Sequence, residues 1–164
     1  MRSKTNRIAL VGLLVAAAFV LSWLENLIPL SASVPGVKLG LANLVTVLAL
    51  YKLRAREAYL ISVTRVILAS FAFSGLFAGL YALSGALFSL TVMLLLKKTG
   101  VFGTVGVSVC GGVCHNLAQI ALACLVSMTP SLLYYLPILC ISGTVSGAVI
   151  GLVGALAVKR IKTP

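Results

Sequence analysis

LFAGLYALSGALFSLTVMLLL, residues 76–96, runs for 21 residues without a charge. A bilayer core takes about 20 apolar residues of helix, so this stretch reads as a membrane span. It shows no alternation of apolar and polar residues, which excludes a barrel strand. The same pattern recurs outward from it. Ile8–Leu24 is 17 residues without a charge, Val37–Tyr51 is apolar apart from Lys38 and a few uncharged polar residues, and Ala58–Ser74 is apolar apart from Arg65. Val101–Met128 holds one His, and Leu132–Val158 holds no charge. The expectation is an all-α integral membrane protein: one domain over residues 1–164, six transmembrane helices, the second of them short.

Composition agrees. The chain is 61% hydrophobic and 9% charged, whereas a soluble domain carries about a quarter of its residues charged. Its two acids are Glu25 and Glu57, and it has no Asp. Paired Asp for Mg²⁺ and a carboxylate dyad are therefore excluded. There is no G-x-x-x-x-G-K-[ST] loop, so the chain does not hydrolyse nucleotides by itself. No catalytic residue, metal ligand or cofactor is assigned, and no enzyme activity is expected. Cys110, Cys114, Cys124 and Cys140 lie in apolar runs without a C-x-x-C motif and read as small core residues. A redox role for Cys110, Cys114 or His115 is the weaker alternative.

The net charge of +11 is distributed as in a membrane protein, not a nucleic-acid binder. Arg2, Lys4 and Arg7 precede helix 1; Lys52, Arg54 and Arg56 separate helices 2 and 3. Lys97 and Lys98 separate helices 4 and 5; Lys159, Arg160 and Lys162 follow helix 6. Eleven of the 13 basic residues thus fall on one side. That side is cytoplasmic by the positive-inside rule, so both termini are expected inside a plasma-membrane protein. Trp23, Tyr81, Tyr134 and Tyr135 then fall near the outer interface. The small residues Ser31, Ala32 and Ser33 would also suit a cleaved signal peptide, but the apolar run before them is long and Glu25 interrupts its end.

Polar residues concentrate in the outer half. Leu39–Tyr51 is 13 residues, about 20 Å of helix against a core of about 30 Å. Pro29, Pro35 and Gly36 precede it, so its outer part is expected to be irregular, which membrane depth tolerates only beside a cavity or within protein. The helix 2 N-terminus, with Lys38 beside it, would point outward with a positive dipole end. Helix 5 carries His115, Asn116 and Gln119 on one broad face, about 21 Å from its inner end at Val101. Helix 2 offers Asn43 and Thr46; Glu25 and Asn26 end helix 1. Such groups are costly against lipid and should face the bundle or a wet cavity. Each has a plainer role available. Asn43, His115 and Asn116 can hydrogen-bond neighbouring helices, Lys38 can be an interfacial charge, and Arg65 can snorkel toward the cytoplasm. The small residues Gly12 and Ala16 on helix 1, and Gly143, Gly147, Gly151 and Gly154 on helix 6, permit close helix approach, within the chain or with another subunit.

Two runs carry a resemblance: VPGVKLGLANLVT, Val34–Thr46, and CGGVCHNLAQ, Cys110–Gln119. Both resemble the Gx transporter family, also known as heptaprenyl diphosphate synthase component I. The six-helix plan, short second segment and small-residue stripe also look like the substrate-binding S components of energy-coupling-factor importers. That resemblance implies that Gly12 and Ala16 dock a transmembrane coupling subunit served by ATPases, with Gly standing where the usual stripe has Ala. Prenyl chain elongation, in the synthases the other label resembles, uses Asp-rich Mg²⁺ motifs, and a chain without Asp cannot be that catalytic subunit.

The leading expectation is a substrate-binding component of an importer for a small molecule of vitamin, flavin or isoprenoid-precursor type. It would capture ligand from the outer side through Lys38, Asn43, Arg65, His115, Asn116 and Gln119. The cations favour an anionic ligand, and a partner supplies energy coupling. The alternative is a non-catalytic membrane subunit in isoprenoid or quinone synthesis. Membrane lipid is a partner in either case; nucleic acid is not.

Overall fold

A computed structural model describes residues 2–28 and 39–161. Among these residues the chain forms six α-helices: α1 (Arg2–Asn26), α2 (Leu41–Lys52), α3 (Ala55–Ala69), α4 (Leu76–Thr99), α5 (Thr104–Ser127) and α6 (Leu136–Arg160). A π-helical turn, Ser70–Ser74, extends α3, and a 3₁₀ segment, Pro130–Tyr135, leads into α6. No strand occurs among the described residues. Five of the helices are long and apolar enough to cross a membrane. The sixth, α2, has 12 residues and rises about 18 Å. The chain is a multi-pass membrane protein with an all-α bundle.

Helix limits differ from the sequence expectation where charges had set them. α1 begins at Arg2 and α4 runs through Lys97 and Lys98, because backbone hydrogen bonding does not stop at the membrane edge. At the other end, Leu132–Tyr135 is 3₁₀ and not the start of α6. Pro137 takes the second position of α6, where a missing N–H costs nothing. Between the π turn and α4 only Gly75 intervenes, at φ 82°, a conformation open to glycine at no steric cost.

Lys52, Lys97, Lys98, Lys159 and Arg160 lie in the last turns of α2, α4 and α6, where cations complement the helix dipole. One contact joins the ends of α2 and α4, and another joins the starts of α1 and α3. Lys97 Nζ donates to the Leu50 carbonyl at 2.6 Å and lies 5.0 Å from the Tyr51 ring centroid. Arg7 forms an ion pair with Glu57, donating from Nη2 to Oε2 at 2.8 Å, and the Arg54 N–H donates to the same oxygen at 2.9 Å. The basic clusters therefore share one end of the bundle, the basic end.

The apolar core fills the half nearest that end. Leu50, Ile61, Leu90 and Val107 are fully buried there, with Ile150 and Met93 packed around them. Glycine brings α6 onto α5: a Cβ on Gly147 would lie 2.8 Å from the Ser108 carbonyl oxygen and from Val109 Cα, and one on Gly151 would lie 2.8 Å from Val105 Cα. Gly154 meets Val47 of α2 in the same way, at 2.9 Å from Cγ1. The helix 6 glycines thus serve packing within the chain. Gly12 and Ala16 do not: both are exposed, and a Cβ on Gly12 would find no atom within 4 Å.

Candidate functional site: a polar cavity opposite the basic end

Because α2 is short, the half of the bundle opposite the basic end is incompletely filled. A cavity of about 90 Å³ occupies it, reached by α1, α2, α3, α4, α5 and α6. α1 contributes Ser22, Glu25 and Asn26, and α2 contributes Asn43 with Gly40 before it. His115, Asn116 and Gln119 come from α5, and Ser146 from α6. The wall given by α4 is made of small residues, Ala78, Gly79 and Ala82, which open space without adding chemistry.

Arg65 of α3 turns into this cavity. It donates from Nη1 to Ser22 Oγ and from Nη2 to Asn43 Oδ1, each at 3.4 Å. Those are long contacts for a guanidinium, whose charge-assisted bonds usually run about 2.7–2.9 Å. Arg65 Nε is buried and has no hydrogen-bond partner among the described residues. The side chain reaches the far ends of α1 and α2, so it does not snorkel back along α3 to the basic end.

Glu25 Oε1 accepts a hydrogen bond from the Gly40 N–H. The start of α2 therefore meets a carboxylate of the chain itself. The positive dipole end expected there from sequence thus already faces one negative charge of this chain.

Of the six residues expected to bind ligand, the structure brings five to one cavity: Asn43, Arg65, His115, Asn116 and Gln119. Lys38 lies outside the described residues. Asn116 is engaged, donating from Nδ2 to the Leu139 carbonyl of α6 at 2.7 Å, the inter-helix role open to it from sequence. Gln119 has no hydrogen-bond partner among the described residues. Sequence reasoning set Glu25 among the outer-half polar residues but not among those expected to bind ligand, and it overlooked Ser22 and Gly85. The signal for the first two was the stripe Ser22, Glu25, Asn26, spaced i, i+3, i+4 at the end of an otherwise apolar helix. Gly85 carried none: a Cβ there would lie 2.9 Å from His115 Cε1 and Gln119 Cγ, so it makes room for both.

Past Asn43 and His115 a second cavity of about 20 Å³ leads toward the basic end, with Thr46, Ser62, Ser89 and Ser108 on its walls. That is room for about one water molecule. Among the described residues no group of three or more His, Cys, Asp or Glu side chains is placed to hold a metal ion.

Residues 14–157 match the family model for heptaprenyl diphosphate synthase component I. The chain belongs to that family. The match runs from α1 into α6 and takes in every residue named on the cavity wall, whereas Gly12 lies just before it. No curated protein and no solved structure matches the chain. What the family description names is a component of a synthase. In this member of the heptaprenyl diphosphate synthase component I family the two acids are placed apart, Glu57 paired with Arg7 at the basic end and Glu25 at the cavity.

Proposed function

We propose that this chain is a membrane-embedded binding component that holds a small molecule between its helices and has no catalytic role of its own. The observation that carries the reading is Arg65: a guanidinium in the membrane-spanning region, loosely contacted, facing a cavity lined by amide and hydroxyl side chains. A charge at that depth is costly unless it faces a partner or a wet cavity. The basic clusters support a cavity on the outer side with both termini cytoplasmic, and on this reading ligand enters from outside in the plasma membrane. The described residues carry no energy-coupling motif, and a chain of six helices without a clear internal repeat is small for alternating access. A transmembrane coupling subunit with ATPases is the proposed partner, docking on the exposed Gly12–Ala16 face of α1.

Native mass spectrometry of gently extracted protein tests the reading. A small non-lipid molecule should remain bound to the wild type and be lost from a Gln119→Leu, Asn43→Leu double variant. Protein that carries none, and that no small-molecule fraction of cell extract stabilises, would refute it.

The family description favours a second reading, a non-catalytic membrane subunit of a prenyl diphosphate synthase. Retention of a soluble, Asp-rich synthase on the purified chain, with the cavity free of ligand, would establish that reading over the first.

A further inference from the structure

The cavity's charges indicate what kind of group it takes. Among the described lining residues there is one permanent cation, Arg65, and one acid, Glu25. Among the described residues they make no contact ion pair, although the Glu25 carboxylate is near enough to act on Arg65 through space. Glu25 turns one oxygen to the Gly40 N–H. Arg65 keeps two loose Nη contacts and a buried Nε that no acceptor meets. The guanidinium thus has an unused donor at Nε and two loosely held Nη groups. Two parallel N–H groups of a guanidinium fit the two oxygens of a carboxylate or phosphate.

Charge number separates those anions. Among the described residues the lining is neutral once Glu25 is counted against Arg65. A singly charged anion on Arg65 takes the place of missing hydrogen bonds and leaves the described lining one charge negative. A diphosphate brings several negative charges to one guanidinium, with the Glu25 carboxylate on the same wall and no Asp or metal-holding cluster among the described residues to gather a neutralising cation. Uncompensated charge in a site of low dielectric is strongly disfavoured.

We infer that the cavity binds its ligand through a singly charged oxyanion of carboxylate type, seated against the guanidinium of Arg65, and that it discriminates against diphosphates. This rests on the binding-component reading and sharpens it. It also separates the site from the diphosphate product named in the family description.

Phenylglyoxal modification of the full-length protein in nanodiscs, followed residue by residue by peptide mass spectrometry, reads the site without knowledge of the natural ligand. Benzoate, inorganic phosphate and inorganic pyrophosphate serve as probes at equal ionic strength, with the exposed Arg56 as internal reference. Benzoate should slow modification of Arg65 at least threefold and leave Arg56 unchanged, while pyrophosphate should protect less than benzoate. Inorganic phosphate should fall between them and lose protection as pH rises and its second charge appears. In Glu25→Gln, which keeps an acceptor for Gly40, protection by pyrophosphate should rise toward that by benzoate. Stronger protection by pyrophosphate than by benzoate in the wild type would overturn the inference, as would modification of Arg65 that no anion slows. If that second result accompanies a neutral molecule found bound by mass spectrometry, the oxyanion inference fails and the binding-component reading stands. An Arg65 that never reacts, in protein that carries no ligand, would defeat both.

Discussion

Glu25 at the end of α1 accepts a hydrogen bond from the backbone N–H of Gly40, fifteen residues later and directly before α2. This bond joins the two helix ends that frame the cavity mouth. Gly40 sits at φ 77°, so the turn into α2 needs glycine, and the acid fixes where that turn lies. A carboxylate bond to a backbone donor contributes about 1.5–3 kcal/mol. Glu25→Ala should therefore loosen the first turn of α2. Hydrogen exchange at the amides of Asn43–Val45 should quicken at least tenfold, while Glu25→Gln, which keeps the acceptor, should change it little. Equal protection in Glu25→Ala and wild type would mean that the bond holds nothing in place.

The other end of α2 is held by Lys97. Its ammonium donates to the Leu50 carbonyl at 2.6 Å and lies over the Tyr51 ring, so one side chain from α4 caps the last turn of α2. Lys97→Met keeps most of the aliphatic stem and removes the charge. A loss of about 1–2 kcal/mol is expected, below that of a fully buried charged hydrogen bond because the ammonium is partly exposed. Thermal unfolding in detergent measures it. An unshifted midpoint would assign the contact to the many interfacial cations that contribute nothing measurable.

Two glycines on helix faces should respond oppositely to the same change. A Cβ on Gly147 would press on the α5 backbone at Ser108 and Val109, at 2.8 Å, and backbone cannot swing aside as a flexible side chain can. Gly147→Ala should cost about 1–3 kcal/mol by overpacking. Gly12→Ala meets open space and should be neutral, or stabilising by up to about 1 kcal/mol through helix propensity. Gly12→Leu should leave the chain folded and lower recovery of the proposed coupling subunit in a pull-down. Undiminished recovery would make that face a lipid surface only.

How much of this was open to a reader of the sequence varies with the kind of signal. Runs with no charge, such as Leu76–Leu96, or with a single one, such as Ala58–Ser74, located the long helices, because the cost of charge in lipid acts on each residue separately. Limits at Lys97 and Arg2 were misplaced for the same reason: the rule reports the membrane and not the helix. His115, Asn116 and Gln119 could be put on one face from their spacing alone. That Arg65 meets Asn43 and not the basic end could not, since snorkelling and cavity-facing are equally open to an isolated arginine. Gly85 was invisible, because a glycine that makes room for side chains of another helix looks like any small residue in a span. The bond from Glu25 to Gly40 needed the relative placement of two helices.

Orientation follows from charge and is testable at exposed positions. Tyr134, in the 3₁₀ segment, and Val101, in the turn after α4, are 89% and 79% exposed and lie at opposite ends of the bundle. In a background lacking the four native cysteines, Tyr134→Cys should react with a membrane-impermeant maleimide added to intact cells, and Val101→Cys only after permeabilisation. The reverse pattern would turn the cavity toward the cytoplasm and remove capture from outside.

The cavity wall offers a comparison between neighbours one turn apart. Asn116 donates to the Leu139 carbonyl at 2.7 Å, so it joins α5 to α6, whereas Gln119 meets the cavity with no hydrogen-bond partner among the described residues. Both line the same space, yet one is already engaged. Asn116→Leu should lower stability by about 0.6 kcal/mol, the average for a polar contact between membrane helices. Gln119→Leu should leave stability unchanged or slightly raised, since no protein bond is lost. Binding should show the opposite order. A free amide given to the ligand contributes about 0.5–1.5 kcal/mol, so Gln119→Leu should weaken retention of the co-purified molecule about 2- to 12-fold, at 1.4 kcal/mol per tenfold. Asn116→Leu should weaken it less, because its donor was never available. Titration of the recovered ligand against both variants, with unfolding midpoints measured on the same samples, separates the two effects. If Asn116→Leu reduced binding more than Gln119→Leu at equal stability, the donor to Leu139 would have to exchange partners when ligand enters, and Gln119 would be a bystander at the wall.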